Sequence, residues 1–67
     1  MTYDPVAIAP AFGVSRSQFR RDIAAGAVRV GIAGKWHRLS LDDTLEADGP
    51  AYLQVAYGRR RTVVRLA

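Results

Sequence analysis

The spacing of the hydrophobic residues changes once along the chain. Phe19 and Ile23 lie four residues apart, which places both side chains on one face of a helix. Further on, apolar and polar residues alternate, with Val28 and Val30 on one side of a strand and Arg29 on the other. Helices followed by half-buried strands are typical of an α+β fold, so the pattern predicts that class.

The first helix is predicted to be short. Asp4 followed by Pro5 is typical of a helix start, with an N-cap residue and then proline at the first helical position. Pro10 cannot donate a backbone hydrogen bond and clashes with the preceding turn, which predicts a kink or a stop near Ala9. We therefore expect only a short helix before Pro10.

The second helix has both of its ends marked in the sequence. Ser15 is a suitable N-cap residue, and Gln18 three residues later completes a capping box. Gly26 readily adopts the left-handed backbone conformation that ends many helices. These signals predict a helix over residues 16–25.

Four strands are predicted after the helices, in a small and mostly antiparallel sheet. They cover residues 28–32, 36–39, 53–57 and 62–66. Ile32 is expected to join the buried face of the first strand. Turns are predicted at residues 33–35, 40–43, 48–50 and 58–60. The turn at 40–43 is expected to be a single helical turn. Residues 1–67 are thus predicted to form a single domain, in which two short N-terminal helices pack on a sheet of three to four strands.

Composition places the chain among small folded domains. Its 67 residues allow one domain, and a hydrophobic content of 49% with a mean hydropathy of −0.04 is typical of a folding chain. The absence of cysteine excludes disulfides, zinc–thiolate sites and thiol catalysis. No apolar run approaches the roughly 20 residues that span a membrane. Because the amino end also does not resemble a signal peptide, we expect a cytoplasmic domain without a membrane partner.

The chain is strongly basic. Ten Lys and Arg residues against six Asp and Glu residues give a net charge of +4 and a pI of about 10.4. Nine of the ten cations are arginines, whose planar guanidinium matches phosphate oxygens and stacks on bases. This bias favours a polyanionic partner. A GC-rich genome that prefers arginine codons would give the same composition, so both explanations stay open at this point.

The candidate catalytic residues do not form a recognisable site. Asp42, Asp43, Glu46 and Asp48 cluster in one polar connection, without a histidine or lysine at catalytic spacing. The only histidine, His37, cannot assemble a metal site alone. The glycines do not form a phosphate-binding loop between a strand and a helix. We therefore expect no catalytic activity, no metal and no cofactor in this domain.

Two basic segments are the candidate nucleic-acid contacts. The first is the start of the second helix, where free backbone amides and the positive end of the helix dipole attract phosphate. The second is a run of three arginines at a predicted hairpin turn, whose mutual repulsion costs stability unless a polyanion meets it. The lysine of the preceding hairpin completes the set. The candidate contacts are Arg16, Ser17, Arg20, Arg21, Lys35, Arg59, Arg60 and Arg61.

Each of these features also has a purely structural explanation. Surface helices need a solvated polar face, and a charged turn protects the edge of a sheet. We favour nucleic-acid binding because the cations cluster in the sequence. Trp36 is expected to pack in the core, with stacking on a base as the alternative.

The second helix and the first strand also carry a family motif. The matching positions are Ser15, Ser17, Arg20, Arg21, Ile23, Gly26 and Val28. This Ser-x-Ser-x-x-Arg-Arg run with its helix exit resembles the S-four RNA-binding domain, named after ribosomal small-subunit protein four. The closest variety is the one at the carboxyl end of bacterial tyrosyl-tRNA synthetases. Residues 58–61 stand where that family has a Gly-Lys-Lys type of turn, and the resemblance covers residues 6–66.

The resemblance implies a non-catalytic module that binds structured RNA. In the synthetases the corresponding surface is similar to a clamp on tRNA, near the anticodon stem and the long variable arm, so tRNA is the expected ligand. By this analogy the arginines of the second helix and of the turn at 59–61 make the contacts. The same resemblance implies a covalently linked synthetase catalytic domain as a partner in the full-length protein.

Two other functions fit parts of the sequence. Residues 12–23 loosely resemble a helix-turn-helix, which would make the chain a small DNA-binding regulator with a β wing. Alternatively, the basic patch would dock an acidic partner in a protein-interaction domain. A preference for duplex DNA over tRNA would favour the first alternative. A stable dimer that binds no nucleic acid would favour the second.

Overall fold

Two helices precede the main sheet in the computed structural model, which describes residues 2–46 and 51–66. They are a 3-10 helix, Pro5–Phe12, and α1, Arg16–Ala24. The strands are β1 (Thr2–Tyr3), β2 (Val28–Ile32), β3 (Lys35–Arg38), β4 (Leu45–Glu46), β5 (Ala51–Tyr57) and β6 (Arg60–Leu66). This order confirms the small α+β architecture that the hydrophobic pattern predicts.

The first helix is longer than predicted. Asp4 caps it as expected, because the Asp4 Oδ1 accepts a hydrogen bond of 2.8 Å from the amide two residues on. The expected stop near Ala9 is wrong, since the 3-10 helix continues through Pro10 and ends where Gly13 adopts a φ of 69°. Most of the apolar side chains of this helix are buried. Core packing therefore supports the turn beyond Pro10, although proline donates no backbone hydrogen bond.

α1 begins at its predicted cap. The Ser15 Oγ accepts a hydrogen bond of 3.1 Å from the Gln18 amide. The returning half of the predicted capping box does not form, because the Gln18 side chain bonds within the helix instead. Its Nε2 donates to Asp22 at 3.0 Å, and its Oε1 accepts from Arg21 at 3.1 Å. One side-chain bond, rather than two, therefore caps the start of α1.

Gly26 ends α1 as predicted. Its φ is 81°, and its amide donates to the carbonyl of Ile23 at 3.0 Å. The next amide, that of Ala27, donates to the carbonyl of Asp22, also at 3.0 Å. This pair of bonds is the Schellman arrangement, which needs a residue in the left-handed region. The last helical residue is Ala24, one position before the predicted end, and the chain passes directly into β2.

The main sheet has four strands in the order β3-β2-β5-β6, and every neighbouring pair is antiparallel. This sheet confirms the prediction, with strand ends that differ from it by up to two residues. β1 and β4 pair separately as a two-stranded antiparallel sheet. This second sheet was not predicted, because strands of two residues show no alternation of apolar and polar positions.

The main sheet has one covered face and one open face. Directly paired residues of antiparallel neighbours share a face, so the register assigns each strand residue to one side. Ile32 was expected to be buried but is 52% exposed, because it ends β2 at the far end from α1 and pairs with Lys35 beside the hairpin turn. Side chains of the covered face and of both helices form the core. Its members are Val6, Ile8, Ala9, Phe12, Phe19, Ile23, Val28, Val30, Leu39, Leu45, Val55, Val64 and Leu66.

A two-residue turn joins β5 to β6. Gly58 and Arg59 form the turn, and Tyr57 pairs with Arg60 across it. Gly58 has a φ of 59°, a conformation that glycine adopts readily at the first central position of a tight hairpin turn. The predicted turn over residues 58–60 is therefore one residue too long, and Arg60 is the first residue of β6.

Residues 40–43 form a hydrogen-bonded reverse turn instead of the predicted helical turn. The Asp43 amide donates to the Ser40 carbonyl at 3.1 Å, and the Asp43 carboxylate accepts from the Ser40 amide at 2.8 Å. These two hydrogen bonds join Ser40 directly to Asp43, so the chain reverses in a single turn and no helix forms. The predicted break at 48–50 lies outside the described residues.

Candidate nucleic-acid interface

α1 presents its predicted polar residues to solvent. Phe19 and Ile23 are 0% and 1% exposed, so they fix the orientation of the helix against the core. Every one of the predicted contacts on this helix is exposed. These contacts are Arg16, Ser17, Arg20 and Arg21. α1 therefore places all four on accessible surface, as its periodicity predicts.

The three consecutive arginines point in different directions. Arg59 lies in the turn and is exposed. Arg60 points to the covered face, where its guanidinium stands 5.4 Å from the centre of the Phe12 ring and donates to the Phe12 carbonyl at 3.3 Å. Arg61 points to the open face and stands 5.7 Å from the centre of the Trp36 ring. Alternation along β6 separates Arg60 from Arg61, so the predicted cluster is not one surface.

An aromatic cluster connects the β5–β6 turn to the helices. The ring of Tyr57 lies 5.1 Å from that of Phe12 and 5.3 Å from that of Phe19, between centroids. The Tyr57 hydroxyl donates a hydrogen bond to the Asp22 carboxylate on α1. Because Tyr57 directly precedes the turn, these contacts anchor the turn against α1. The structure thus brings the turn, which contains Arg59, beside α1.

The Tyr57–Asp22 hydrogen bond changes the titration of both groups. A hydrogen bond from Tyr57 and, to a smaller extent, one from Gln18 stabilise the Asp22 carboxylate. These bonds lower the pKa of Asp22 below the ordinary value of 3.8. The bond to Asp22 favours the protonated phenol, which raises the pKa of Tyr57 above 10.0. The bond therefore holds over the whole neutral range.

This bond predicts a particular dependence of stability on pH. Tyr57→Phe is expected to destabilise the fold near neutral pH. The advantage of the wild type should be complete above the unfolded pKa of Asp22 and should shrink as the pH falls through its lowered folded pKa. It should also shrink as the pH rises through the raised folded pKa of Tyr57. Urea unfolding of both proteins from about pH 2 to about pH 11 measures this difference.

Tyr52→Phe is the matched control, because the Tyr52 side chain is 71% exposed. This substitution removes a phenol hydroxyl that points to solvent. The free energy of unfolding of the Tyr52→Phe protein should therefore equal that of the wild type at every pH. A difference between wild type and Tyr57→Phe that stays constant over the whole pH range would contradict the prediction.

Lys35 lies far from the other predicted contacts. In β2, Val28 pairs with Tyr57, which lies beside the β5–β6 turn, and Ile32 pairs with Lys35. These two positions are four residues apart on one strand, or about 13 Å. Lys35 is therefore at the opposite end of the main sheet, and the structure does not bring it to the α1 surface.

The prediction that Trp36 packs in the core is wrong. Its side chain is 42% exposed, because its register partner Gly31 belongs to the open face. The same face carries Arg29, Arg38 and Arg65, none of which was among the predicted contacts. One sequence signal indicated this surface, namely the polar residue Arg29 between two buried valines. Arg29 points away from the core, and the residues that pair with it on the neighbouring strands lie on the same face.

Most of the cations have no partner in the described residues. Four of the ten make a contact there: Arg21 with Gln18, Arg60 with Phe12, Arg61 with Trp36, and Arg38 with the carbonyl of Ala24 at 2.9 Å. The side chains of the other six make no hydrogen bond, ring contact or ion pair to another described residue. They are Arg16, Arg20, Arg29, Lys35, Arg59 and Arg65. Their guanidinium and ammonium groups are therefore available to an external anion.

Residues 2–46 and 51–66 contain no group of three side chains that could hold a metal ion. None of the helices in this part of the chain has the length and apolarity needed to cross a membrane. Comparisons with protein-family models, with curated proteins and with solved structures give no match to this chain.

Proposed function

We propose that this chain is a non-catalytic RNA-binding domain of the S-four kind, which holds folded RNA through α1 and the β5–β6 turn. The observation that carries the proposal is the set of exposed cations without partners among the described residues. Exposed arginines that no carboxylate neutralises attract a polyanion, and they repel one another when none is bound. The expected ligand is tRNA.

The position of the cations on α1 supports contact with phosphates. Arg16 and Ser17 are the first residues of the helix, beside backbone amides that have no partner within it. The positive end of the helix dipole adds to their attraction for phosphate. Arg20 and Arg21 extend the basic surface by one turn. This geometry favours phosphate and 2′-hydroxyl contacts, which dominate recognition of A-form RNA because its major groove is too deep and narrow for side chains.

The order of the elements also supports the S-four interpretation. The residues that carry the resemblance lie on α1, at its Gly26 exit and in β2, in the order that the motif requires. The turn at residues 58–59 is anchored beside the helix by Tyr57. A synthetase catalytic domain in the full-length protein and a cytoplasmic location are part of the same proposal.

Removing two arginines from α1 tests the proposal. Arg20→Ala/Arg21→Ala is expected to weaken binding to a tRNA with a long variable arm by about a hundredfold or more, because each of the two charge-assisted contacts contributes about 1.5–3 kcal/mol. The double variant should also reduce the slope of log affinity against log salt by about two, one for each lost phosphate contact. Fluorescence anisotropy of labelled tRNA measures both quantities.

Lys35→Ala is the control, because Lys35 is an exposed cation at the opposite end of the main sheet from the β5–β6 turn. It removes one charge, and its loss of log affinity for tRNA should be much less than half that of the α1 pair. A loss of half or more would mean that only total charge matters, and no loss from the α1 pair would overturn the proposal. Tighter binding of duplex DNA than of tRNA at the same salt would favour a DNA-binding regulator instead. No nucleic-acid binding together with a stable dimer would favour a protein-interaction domain.

A further inference from the structure

The open face of the main sheet combines exposed rings with unpaired cations. Neither helix packs against it, because both contribute their buried residues to the core on the other side. The strand register places its side chains in rows across the sheet. The first row is Arg38, Arg29, Ala56 and Arg61, the second is Trp36, Gly31, Gln54 and Val63, and Tyr52 with Arg65 begins a third.

Large apolar side chains on this face are exposed to solvent. Trp36 is 42% exposed, Val63 is 57% exposed and Tyr52 is 71% exposed. Exposed apolar side chains that share one face mark an interaction site more often than a scattered single residue does. An apolar ligand group that covers these side chains therefore gains from burial on the open face.

A shallow cavity of about 230 Å³ lies beside the Trp36 ring, and Gln54, Arg61 and Val63 line it with that ring. A side chain at Gly31 would stand 3.0 Å from the Gln54 Oε1 and 3.6 Å from the Trp36 ring. Glycine at this position therefore lets the Gln54 and Trp36 side chains lie close to the β2 backbone. Arg61 stands over the ring at 5.7 Å and holds its orientation.

The charge of the open face favours a nucleic acid over a protein partner. Four arginines belong to this face by register, of which Arg38 extends its guanidinium to the Ala24 carbonyl of α1, and the described strand residues of the face include no aspartate or glutamate. Arg29 and Arg65 have no partner among the described residues. Phosphate is complementary to this charge, and the exposed rings give the bases of the same ligand a surface to stack on.

We propose that the open face is a second RNA contact, which takes an unpaired segment of the RNA that α1 holds. This inference rests on the proposed function. The bases stack on Trp36 and Tyr52, and Arg29 and Arg65 contact the phosphates. The two aromatic positions lie two strands and one row apart, about 12 Å on the sheet, so they hold different bases. Bases within a duplex are stacked on one another and cannot reach the rings, so the segment is single-stranded.

Tryptophan fluorescence tests this inference directly, because Trp36 is the only tryptophan in the chain. An oligouridine of about 12 nucleotides is expected to quench its emission. An RNA duplex of the same length is the matched probe and should quench much less at equal phosphate concentration. Trp36→Leu is expected to weaken binding of the fluorescein-labelled oligouridine about tenfold or more, measured by anisotropy.

Leu41→Ala is the control for loss of an exposed apolar side chain, since Leu41 is 41% exposed and lies in the reverse turn at 40–43. It should bind the oligouridine as the wild type does, and circular dichroism should show that both variants are folded. Binding of tRNA without quenching by oligouridine would overturn the inference and leave the proposed function standing. Absence of binding to both RNAs would overturn both. A shift of Trp36 emission with protein concentration, in the absence of RNA, would overturn the inference in favour of a protein interface.

Discussion

Phe19→Ala is expected to remove a large part of the domain's free energy of unfolding at 25 °C. The Phe19 side chain is 0% exposed, and its ring lies 6.0 Å from Phe12 and 5.3 Å from Tyr57 between centroids. Removing a buried phenylalanine costs about 3–5 kcal/mol, which includes the cavity that it leaves. A domain of this length has a free energy of unfolding of only about 3–10 kcal/mol. The substitution therefore removes a large share of the total, and it also loosens the cluster that anchors the β5–β6 turn.

Urea unfolding followed by circular dichroism measures this loss. Leu41→Ala serves again as the control, because truncation of a partly exposed side chain in a turn should change the free energy of unfolding by less than about 0.5 kcal/mol. A Phe19→Ala protein that unfolds with nearly the wild-type midpoint would show that the three-ring cluster does not hold the helices to the sheet.

Affinity for tRNA is expected to fall by about two to three orders of magnitude between about 50 mM and about 200 mM salt. Contacts to about four to six phosphates release bound counterions, and they give a slope of log affinity against log salt of roughly −3 to −5. This loss follows from the unpaired cations beside α1 and the turn. A titration of labelled tRNA at constant temperature and several salt concentrations measures the slope.

Two neighbouring arginines provide a matched pair for the salt experiment. Arg59→Ala should reduce the slope by about one, because this exposed residue has no partner among the described residues. Arg60→Ala should instead lower the thermal stability, because this side chain packs on the Phe12 ring and bonds to its carbonyl. A slope near zero for the wild type would indicate apolar docking and would contradict phosphate recognition.

Local signals in the sequence were enough to predict α1 and the four strands of the main sheet. Ser15 and Gly26 act through bonds to residues within four positions, so their effects do not depend on the rest of the fold. The alternation around Arg29 likewise predicts β2 without knowledge of its neighbours. The candidate contacts on α1 follow from the same short-range geometry, and all of them are exposed.

The surfaces of the sheet could not be predicted in this way, because they depend on strand register. β3 has four exposed residues and thus no contrast between apolar and polar positions that would show where Trp36 points. The separation of Arg60 from Arg61 depends on β6 beginning at residue 60, whereas the prediction placed its start at residue 62. The end of the first helix could not be predicted from Pro10 for a related reason. Burial of the neighbouring side chains outweighs the backbone hydrogen bond that proline cannot donate.

The order β3-β2-β5-β6 leaves β3 and β6 as the outer strands, each with unpaired backbone groups along one side. Such edges invite another copy of the chain to add its own strand, which is a common route to aggregation. Lys35 and Arg38 stand on one edge, and Arg60, Arg61 and Arg65 on the other. Two copies that meet edge to edge therefore bring like charges together, and this repulsion opposes polymerisation of the free domain through its sheet.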